Sequence, residues 1–408
     1  MKSDASPAAA APVRLASLDA LRGFDLFWIL GADAVCQALG KAIPYFPFTV
    51  LAVQTDHVEW AGVHLYDLIF PTFVFLSGVS IVFSVPRMLA ERGRAATVTR
   101  ILRRTVLLAL LGLFYNGGFT HPWPDVRLAG VLQRIAFAYG VSALLFAFAS
   151  RRLRIVAGVA LLTGYWAVMT FVPIRDCTLS RQAMAAHFHT ENPDPAQVRA
   201  YFDETTAKVA GKFEPGLNVA NHVDFEYLPG RMYDTYWDPE GLLSMFPAIV
   251  SCLLGVFAGE TLRDEKKDGA ARVARLALSG LICLAAGYAW SAQFPIVKKI
   301  WTSSFVLVAG GWGFLALSAF YLVVDVRGWR TWCQPFIWIG RNPITLYLAT
   351  FVVGMSELDQ RLTGGSVARL ADRIVFPGAG EVLTAATFLG LMFLLAWFLD
   401  RRRIYLRL

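Results

Sequence analysis

The sequence predicts an all-α membrane protein, a polytopic bundle of about ten transmembrane helices with both termini in the cytoplasm. Hydrophobic residues make up 56% of its 408 residues and charged residues only 17%, with a mean hydropathy of +0.50. A soluble domain of this composition would expose a very large apolar surface. Apolar runs of spanning length follow one another along the chain, and clusters of Lys and Arg separate them.

The predicted spans follow from the thickness of a bilayer core, which is about 30 Å and needs about 20 mostly apolar helical residues. Ten runs come near that length between charges or Pro and Gly clusters: residues 19–39, 63–85, 104–119, 127–149, 155–172, 241–258, 276–290, 303–324, 334–353 and 381–399. Residues 1–18 are predicted to form a disordered cytoplasmic N-terminus, and residues 19–408 a single transmembrane domain.

The orientation follows from the basic clusters. With the N-terminus inside, the clusters at 87–104, 151–154, 263–272, 327–330 and 401–407 all fall in the cytoplasm. The short loops on the other side hold few basic residues, such as Lys41 and Lys298, and short cytoplasmic loops are the ones enriched in Lys and Arg. The same topology accounts for the net charge of +8, so no nucleic-acid partner is predicted. The long loop 173–240 is predicted to form an outward cap.

Metal and disulfide chemistry are not indicated by the five cysteines. They are scattered, odd in number and without CxxC spacing, so they outline neither a disulfide framework nor a zinc site. No metal is therefore predicted.

The first span carries four ionisable residues, which are costly in a membrane and are functional candidates until a partner is found. At about 100° per residue, Arg22 and Asp33 lie about 20° apart around an ideal helix, with Asp19 and Asp25 about 60° to either side of Arg22. An internal ion cluster explains Asp19, Arg22 and Asp25 without a functional role. Asp33 has no basic residue one helical turn away, so we expect it to face a substrate.

His57 lies in the outer loop, shortly before the second span. A histidine in a loop is usually just solvated, but this one is on the same side as Asp33, beside Trp60 and near Asp67 at the mouth of the second span. Imidazole titrates near neutral pH, which suits a general base. His57 and Asp33 are therefore candidate catalytic residues, and Trp60 and Asp67 candidate substrate contacts, with an ordinary solvated histidine as the alternative.

Further candidates for substrate binding come from later spans. Arg134 is about two turns inside the fourth span, where its guanidinium needs either an acid of another span or a carboxylate or phosphate ligand. Asp238 and Glu240 flank a proline before the sixth span, which is also an ordinary helix start. Asn342 precedes a proline inside the ninth span, where it bonds either a sugar hydroxyl or freed backbone.

The sequence contains no GxSxG, Walker, HExxH or dinucleotide motif. It nevertheless resembles the membrane acetyltransferase family of heparan-α-glucosaminide N-acetyltransferase and its bacterial relatives. The stretches that carry the resemblance are SLDALRGF at 17–24, HVEWAG at 57–62 running into DLIFPTFVF at 67–75, GVLQR at 130–134, DPEG at 238–241 and, more weakly, the segment at Asn342.

The resemblance implies transfer of acetyl from cytoplasmic acetyl-CoA to the 2-amino group of a glucosamine on the far side of the membrane, here the periplasmic side of a bacterial inner membrane. It implies that His57 is catalytic, either as a base or as an acetylated intermediate. Arg22, Arg103 and Arg104 on the basic side are candidates to hold the acetyl-CoA phosphates. Asp33 would bind a hydroxyl, orient His57 or raise its basicity. Membrane lipid and a second copy in a homodimer are the further partners implied.

Two other functions stay open. A family of membrane acyltransferases that O-acetylate polysaccharides and lipids shares the opening motif, but it typically has histidine eleven positions after the arginine, where this chain has Asp33. An amino-sugar permease would use the same intramembrane charges for proton coupling.

Overall fold

The computed structural model describes residues 15–352 and 354–406. The α-helices are α1 (Ala16–Phe27), α2 (Asp33–Ala42), α3 (Phe48–Gln54), α4 (Ile69–Tyr115), α5 (Val131–Phe148), α6 (Arg151–Phe171), α7 (Arg181–Phe188), α8 (Pro195–Glu204), α9 (Val219–Tyr227), α10 (Met245–Arg263), α11 (Gly269–Trp290), α12 (Ser303–Phe320), α13 (Gln334–Arg341), α14 (Pro343–Val352), α15 (Met355–Thr363), α16 (Ser366–Ile374) and α17 (Ala379–Arg401). Shorter turns are π-helical at Trp28–Ala32 and Tyr321–Val326 and 3₁₀ at Leu65–Leu68 and Trp123–Asp125. The predicted all-α class is confirmed.

Within the described part of the chain, seven helical segments are long and apolar enough to cross a membrane: Leu65–Tyr115, Val131–Phe148, Arg151–Phe171, Met245–Arg263, Gly269–Trp290, Ser303–Val326 and Ala379–Arg401. The chain is a multi-pass membrane protein. Ten spans and an inward N-terminus stay predictions. Four of the predicted spans are continued or broken in ways that hydropathy alone does not show.

The first predicted span, residues 19–39, is broken in the middle. A π-helical turn separates α1 from α2, and Gly31 within it has a φ of 115°, outside any helix. The rotation of about 100° per residue that was used to relate Arg22 to Asp33 does not continue through this break. Asp19, Arg22 and Asp25 all lie in α1, before the break, so only the expected alignment of Asp33 with these three residues is wrong.

The second and third predicted spans, residues 63–85 and 104–119, belong to one helix, α4. The segment between them is charged but rich in helix formers, so the helix continues beyond the apolar run. Gly93 has a φ of 76° and a ψ of 178° and bends α4 back on itself, which gives it two arms. A positive φ costs glycine little free energy because glycine has no Cβ, so the bend lies at a residue that can adopt this conformation.

The ninth predicted span, residues 334–353, is split at Asn342 into α13 and α14. Pro343 lacks the N–H that would continue the helix. The last residue of this span, Val353, lies outside the described residues, as do residues 1–14 of the predicted disordered N-terminus. Residues 16–18, which were predicted to belong to the disordered N-terminus, form part of α1 (Ala16–Phe27).

The predicted cap loop, residues 173–240, contains α7, α8, α9 and two short strands, β1 (Ile174–Arg175) and β2 (Lys208–Val209). The strands pair antiparallel with Ile174 opposite Val209. A small core fills this cap, made of Cys177, Leu179, Met184, Val198, Phe202, Tyr236 and Trp237. A backbone bridge between Gly230 and Arg127 ties the cap to the start of α5.

Candidate active site

A cavity of about 1050 Å³ runs along the inside of the helix bundle. Both arms of α4 line it, one from Ile69 to Ser80 and the other from Arg100 to Tyr115, and residues of α1, α5 and α14 complete its wall. Ser80 is thirteen residues after Asp67 on the same arm, which corresponds to about 20 Å of helix. The cavity therefore reaches from one end of the bundle towards the other.

The two ends differ in chemistry. We call the end at Arg22, Arg100 and Arg104 the basic end, and the end at His57 and Asp67 the histidine end. Apolar side chains line the stretch between them: Leu26, Ile29, Phe73, Leu108 and Ile135. Such a passage suits a long ligand with a charged end and a less polar body.

The loop that carries His57 is fixed by backbone contacts. Ala61 forms an antiparallel bridge with Val297, and the Gly62 N–H donates to the Ile296 carbonyl at 2.8 Å. This pairing joins the loop after α3 to the loop between α11 and α12. It holds His57 against the segment that carries Lys298.

His57 and Asp67 form a close pair. Nδ1 of His57 is 2.8 Å from Oδ1 of Asp67, and the other carboxylate oxygen accepts from the backbone N–H groups of Val58 and His64, both at 3.1 Å. Only 2% of the Asp67 side chain is exposed, against 51% for His57. With Nδ1–H donating to the fixed carboxylate, Nε2 keeps its lone pair. That arrangement prepares an imidazole to accept a proton.

Asp33 reaches this pair through Tyr66. The Tyr66 side chain is close to the Asp33 carboxylate, and the Tyr66 ring lies 4.8 Å from the His57 ring, centroid to centroid. Asp33 itself is not among the residues that line the cavity. The structure thus groups Asp33 with His57 through an aromatic side chain rather than by direct contact.

Lys298 is the third polar group at the histidine end. Its Nζ is 3.0 Å from Nδ1 of His57 and 3.1 Å from Oδ1 of Asp67. Burial lowers the pKa of Lys298, although the carboxylate of Asp67 opposes that shift. The His57–Asp67 pair therefore has a basic side chain against it.

Asp238 and Glu240 meet at Arg127. Nε and Nη2 of Arg127 donate to the two carboxylate oxygens of Asp238, and Nη2 also donates to Oε2 of Glu240, all at 2.8 Å. Burial acts to raise the pKa of Asp238, but the hydrogen bonds from Arg127 hold it below its ordinary value, whereas burial raises the pKa of Glu240. Glu240 and Arg127 line the cavity, while Asp238 is buried behind them.

Arg134 is also buried behind the cavity wall. Its Nη2 donates to the Pro239 carbonyl at 2.6 Å and to the Ser244 hydroxyl, and its guanidinium lies 4.4 Å from the Trp301 ring. Arg134 thus braces the segment between Asp238 and α10.

A second brace comes from Asp224 in the cap. Its carboxylate accepts from the Leu242 N–H at 2.8 Å and the Asp238 N–H at 3.3 Å, and burial raises its pKa to about 7. A Cβ at position 241 would collide with this carboxylate, so Gly241 permits the close approach. The segment that presents Glu240 is therefore held from two sides.

Trp60 connects the His57 loop to the cap. Its indole N–H donates to the Phe213 carbonyl at 2.8 Å, and its ring packs edge-on against Trp237 at 5.7 Å. Trp60 also lines the cavity. It presents an aromatic surface near His57.

At the basic end, Arg22 donates from Nη2 to the Ser80 hydroxyl at 3.0 Å and forms a 3.5 Å ion pair with Asp19. Oδ2 of Asp25, the third member of the expected cluster, has no hydrogen-bond partner in the part of the chain that the structure describes. Arg104 lines the cavity with its guanidinium 4.5 Å from the Tyr139 ring, whereas its neighbour Arg103 is exposed and outside the lining.

Asn342 is buried at the break between α13 and α14. Neither its amide oxygen nor its amide nitrogen finds a hydrogen-bond partner among residues 15–352 and 354–406. It does not line the cavity, although Pro343 and Ile344 do. The structure therefore places Asn342 next to the cavity wall rather than on it.

No protein-family model matches this chain. The heparan-α-glucosaminide N-acetyltransferase of Homo sapiens is 30% identical to it over 376 residues, which cover 83% of this chain and 53% of the human protein. The Mus musculus protein of the same name is 29% identical over 327 residues, which cover 72% of this chain and 48% of the mouse protein. The chain belongs to the heparan-α-glucosaminide N-acetyltransferase family. It spans about half the length of these two relatives.

Membership of the heparan-α-glucosaminide N-acetyltransferase family confirms the resemblance drawn from the sequence motifs. The cavity residues of this family member that were not among the predicted site residues include Tyr66, Arg100, Arg127 and Lys298. A signal existed for two of them. Lys298 is one of the few basic residues in the loops that were predicted to lie outside, and Arg127 opens a predicted span three residues before the GVLQR motif.

Proposed function

We propose that this protein is a membrane acetyltransferase that moves acetyl from acetyl-CoA to the amino group of a glucosamine-type sugar. Acetyl-CoA enters at the basic end from the cytoplasm, and the sugar reaches the histidine end from the periplasmic side of a bacterial inner membrane. The proposal rests on one observation: the same cavity is lined by Arg100 and Arg104 and also by His57 and Asp67.

The basic end fits the charged part of acetyl-CoA. Guanidinium groups bind phosphate oxygens through paired, charge-assisted hydrogen bonds. Arg22, Arg100 and Arg104 all line this end. The apolar stretch that follows suits the pantetheine arm, which would bring the thioester to His57.

The histidine end fits the reaction. Nε2 of His57 takes the proton from the attacking amine as its nitrogen bonds to the thioester carbonyl carbon. The tetrahedral adduct then breaks its C–S bond, and the imidazolium returns the proton to the departing thiolate, so that an amide and free CoA leave. Asp67 holds the imidazole and compensates its transient charge.

The acceptor side combines carboxylates with aromatic rings, next to the basic side chains of Arg127, Lys298 and Lys299. Glu240 and Glu59 line the cavity there, and carboxylates attract an amino sugar in its ammonium form, which releases one proton to solvent before the neutral amine attacks. Trp60 and Tyr233 also line the cavity and offer ring faces of the kind that pack against sugars.

The first experiment measures free thiol released when purified protein in detergent is given acetyl-CoA and glucosamine. We expect release that needs both substrates and is lost in His57→Ala. His121→Ala is the matched control, because His121 is exposed and outside the cavity lining, and it should keep full activity. Full activity in His57→Ala would contradict the assignment. Sugar uptake into sealed vesicles without acetyl-CoA would favour the permease instead.

The sidedness has its own test. Single cysteines at Tyr45 and Arg152, in a background without the five native cysteines, are labelled in intact cells with a membrane-impermeant maleimide. Tyr45 is exposed three residues before α3, and Arg152 is exposed near the start of α6. The proposal expects labelling at position 45 and protection at position 152. The reverse pattern would overturn the direction of transfer.

A further inference from the structure

Lys298 completes a triangle with the two residues of the proposed catalytic pair. Nζ is 3.0 Å from Nδ1 of His57 and 3.1 Å from Oδ1 of Asp67, and those two atoms are themselves 2.8 Å apart. Lys298 comes from a loop 231 residues away from Asp67. A carboxylate–imidazole pair needs no third member to orient the ring, so the lysine calls for a separate explanation.

The position of Lys298 is fixed by its surroundings. The residue before it, Val297, pairs with Ala61 and donates its N–H to the Thr302 hydroxyl at 3.0 Å. Only 20% of the Lys298 side chain is exposed, although it borders the cavity. The loop between α11 and α12 therefore holds the ammonium of Lys298 against His57 and Asp67.

Hydrogen-bond counting limits the states of this triangle. An ammonium has three donors and no acceptor. While Lys298 is charged, Nδ1 of His57 either donates to Asp67 or accepts from Lys298. When Nδ1 accepts from Lys298, the ring is neutral and its proton is on Nε2; when Nδ1 donates to Asp67, the ring is either neutral with a free lone pair on Nε2 or an imidazolium. A fully protonated His57 would place its positive charge within about 3 Å of the ammonium, and like charges at that distance are unfavourable.

The opposite influence comes from Asp67. A buried carboxylate in contact with an imidazole favours the protonated ring. A histidine that already holds its second proton cannot act as a base. Without a counter-charge, the contact that orients His57 would also tend to inactivate it.

We propose that Lys298 is a positioning residue that balances the charge of Asp67 and so keeps His57 in its neutral, proton-accepting form. Its importance for turnover rests on the proposed function, but its effect on His57 does not require turnover. The ionisable side chains next to this triangle are Asp33 and Tyr66 beside His57, Asp56, whose carboxylate accepts from the His57 N–H, and His64, whose N–H donates to Asp67. Glu59 lies on the same loop, and Arg134 and Glu240 lie near Lys298.

The test follows the protonation of His57 directly. Diethyl pyrocarbonate acylates neutral imidazole but not imidazolium, and peptide mass spectrometry reports its rate at His57 as a function of pH. We expect the midpoint of this titration to rise by about one to three pH units in Lys298→Gln relative to the unsubstituted protein. The acid limb of thiol release should move in the same direction.

Two control variants separate charge from shape. Lys298→Arg keeps the positive charge and should keep the midpoint near that of the unsubstituted protein. Lys299→Gln removes the charge of the next residue, whose Nζ lies 5.8 Å from the Trp237 ring, and should leave the midpoint in place. An unchanged or lower midpoint in folded Lys298→Gln would overturn the proposal.

A second variant covers the case in which Lys298→Gln does not fold. Asp67→Asn removes the opposing charge and leaves the ammonium, so the midpoint should fall below that of the unsubstituted protein. A midpoint that stays or rises would overturn the proposal. If the proposed function is wrong, the unsubstituted protein releases no thiol, but the titration of its His57 can still be measured. That result differs from the result that would overturn the role of Lys298.

Discussion

Nδ1 of His57 and Oδ1 of Asp67 are 2.8 Å apart across ten residues of chain, at one end of a cavity whose other end is lined by arginines. The Asp67 carboxylate is almost fully buried and accepts hydrogen bonds from two backbone N–H groups. It therefore offers the His57 imidazole a hydrogen-bond partner whose position is fixed. The proposed reaction depends on this contact.

Asp67→Asn should lower thiol release by about 10²–10⁴-fold, because an amide can still accept from the backbone but no longer fixes the productive histidine tautomer. Initial rates with saturating acetyl-CoA and glucosamine measure the effect. Asp125→Asn is the control, since Asp125 is exposed and outside the cavity lining. Equal rates in the two variants would remove Asp67 from the mechanism.

Arg104→Gln should raise the KM for acetyl-CoA by about tenfold and change kcat less, because a phosphate would lose a charge-assisted hydrogen bond far from the reacting atoms. The neighbouring Arg103→Gln removes the same charge from an exposed side chain outside the cavity lining, so its KM should stay close to that of the unsubstituted protein. Steady-state kinetics with varied acetyl-CoA distinguish them. Equal effects would indicate attraction by surface charge rather than binding in the cavity.

Arg127→Met should destabilise the protein by about 3–5 kcal/mol, because Asp238 would be left as a buried carboxylate without its partner. The thermal unfolding midpoint in detergent should fall clearly. Arg199→Met breaks an exposed pair with Asp203 and should move the midpoint little. A small effect of Arg127→Met would mean that Asp238 is compensated elsewhere.

Asp224 should make stability depend on pH. Burial raises its pKa from the ordinary 3.8 to about 7 in the folded protein, so the folded state binds the proton more tightly than the unfolded state. The stabilisation is complete below pH 4 and is lost as pH rises through 7. Compared with Asp224→Asn, the unsubstituted protein should therefore lose thermal stability between pH 4 and pH 8. Parallel pH curves for both proteins would refute this assignment.

Hydropathy located most of the membrane helices. The predicted spans 127–149, 155–172 and 303–324 correspond to α5, α6 and the segment Ser303–Val326 within a few residues at each boundary. An apolar run of a length set by bilayer thickness is a local property of the chain, and for that reason it can be predicted from one sequence.

The breaks were not predictable in the same way. Gly31 and Gly93 are two of 33 glycines, and what distinguishes them is a backbone conformation that depends on the packing around α1 and α4. Helix-forming residues between two apolar runs also conceal that α4 continues through a charged segment.

The candidate site could also be predicted only in part, because some of its contacts are local in sequence and others are not. His57 and Asp67 are close in sequence and could be grouped from spacing alone. Lys298 reaches them from another loop, and Tyr66 links Asp33 to His57 through contacts that only the folded chain contains. Long-range contacts of this kind leave no periodic trace in a single sequence.

The bridge between Ala61 and Val297 has a consequence for how this protein tolerates change. Main-chain pairing accepts many side chains but no slip of register, because a shift by one residue turns every following side chain to the opposite face. Point substitutions in these two loops should leave the reactive groups aligned. Inserting or deleting one residue between His57 and the bridge would separate the imidazole from its lysine while every helix stayed in place.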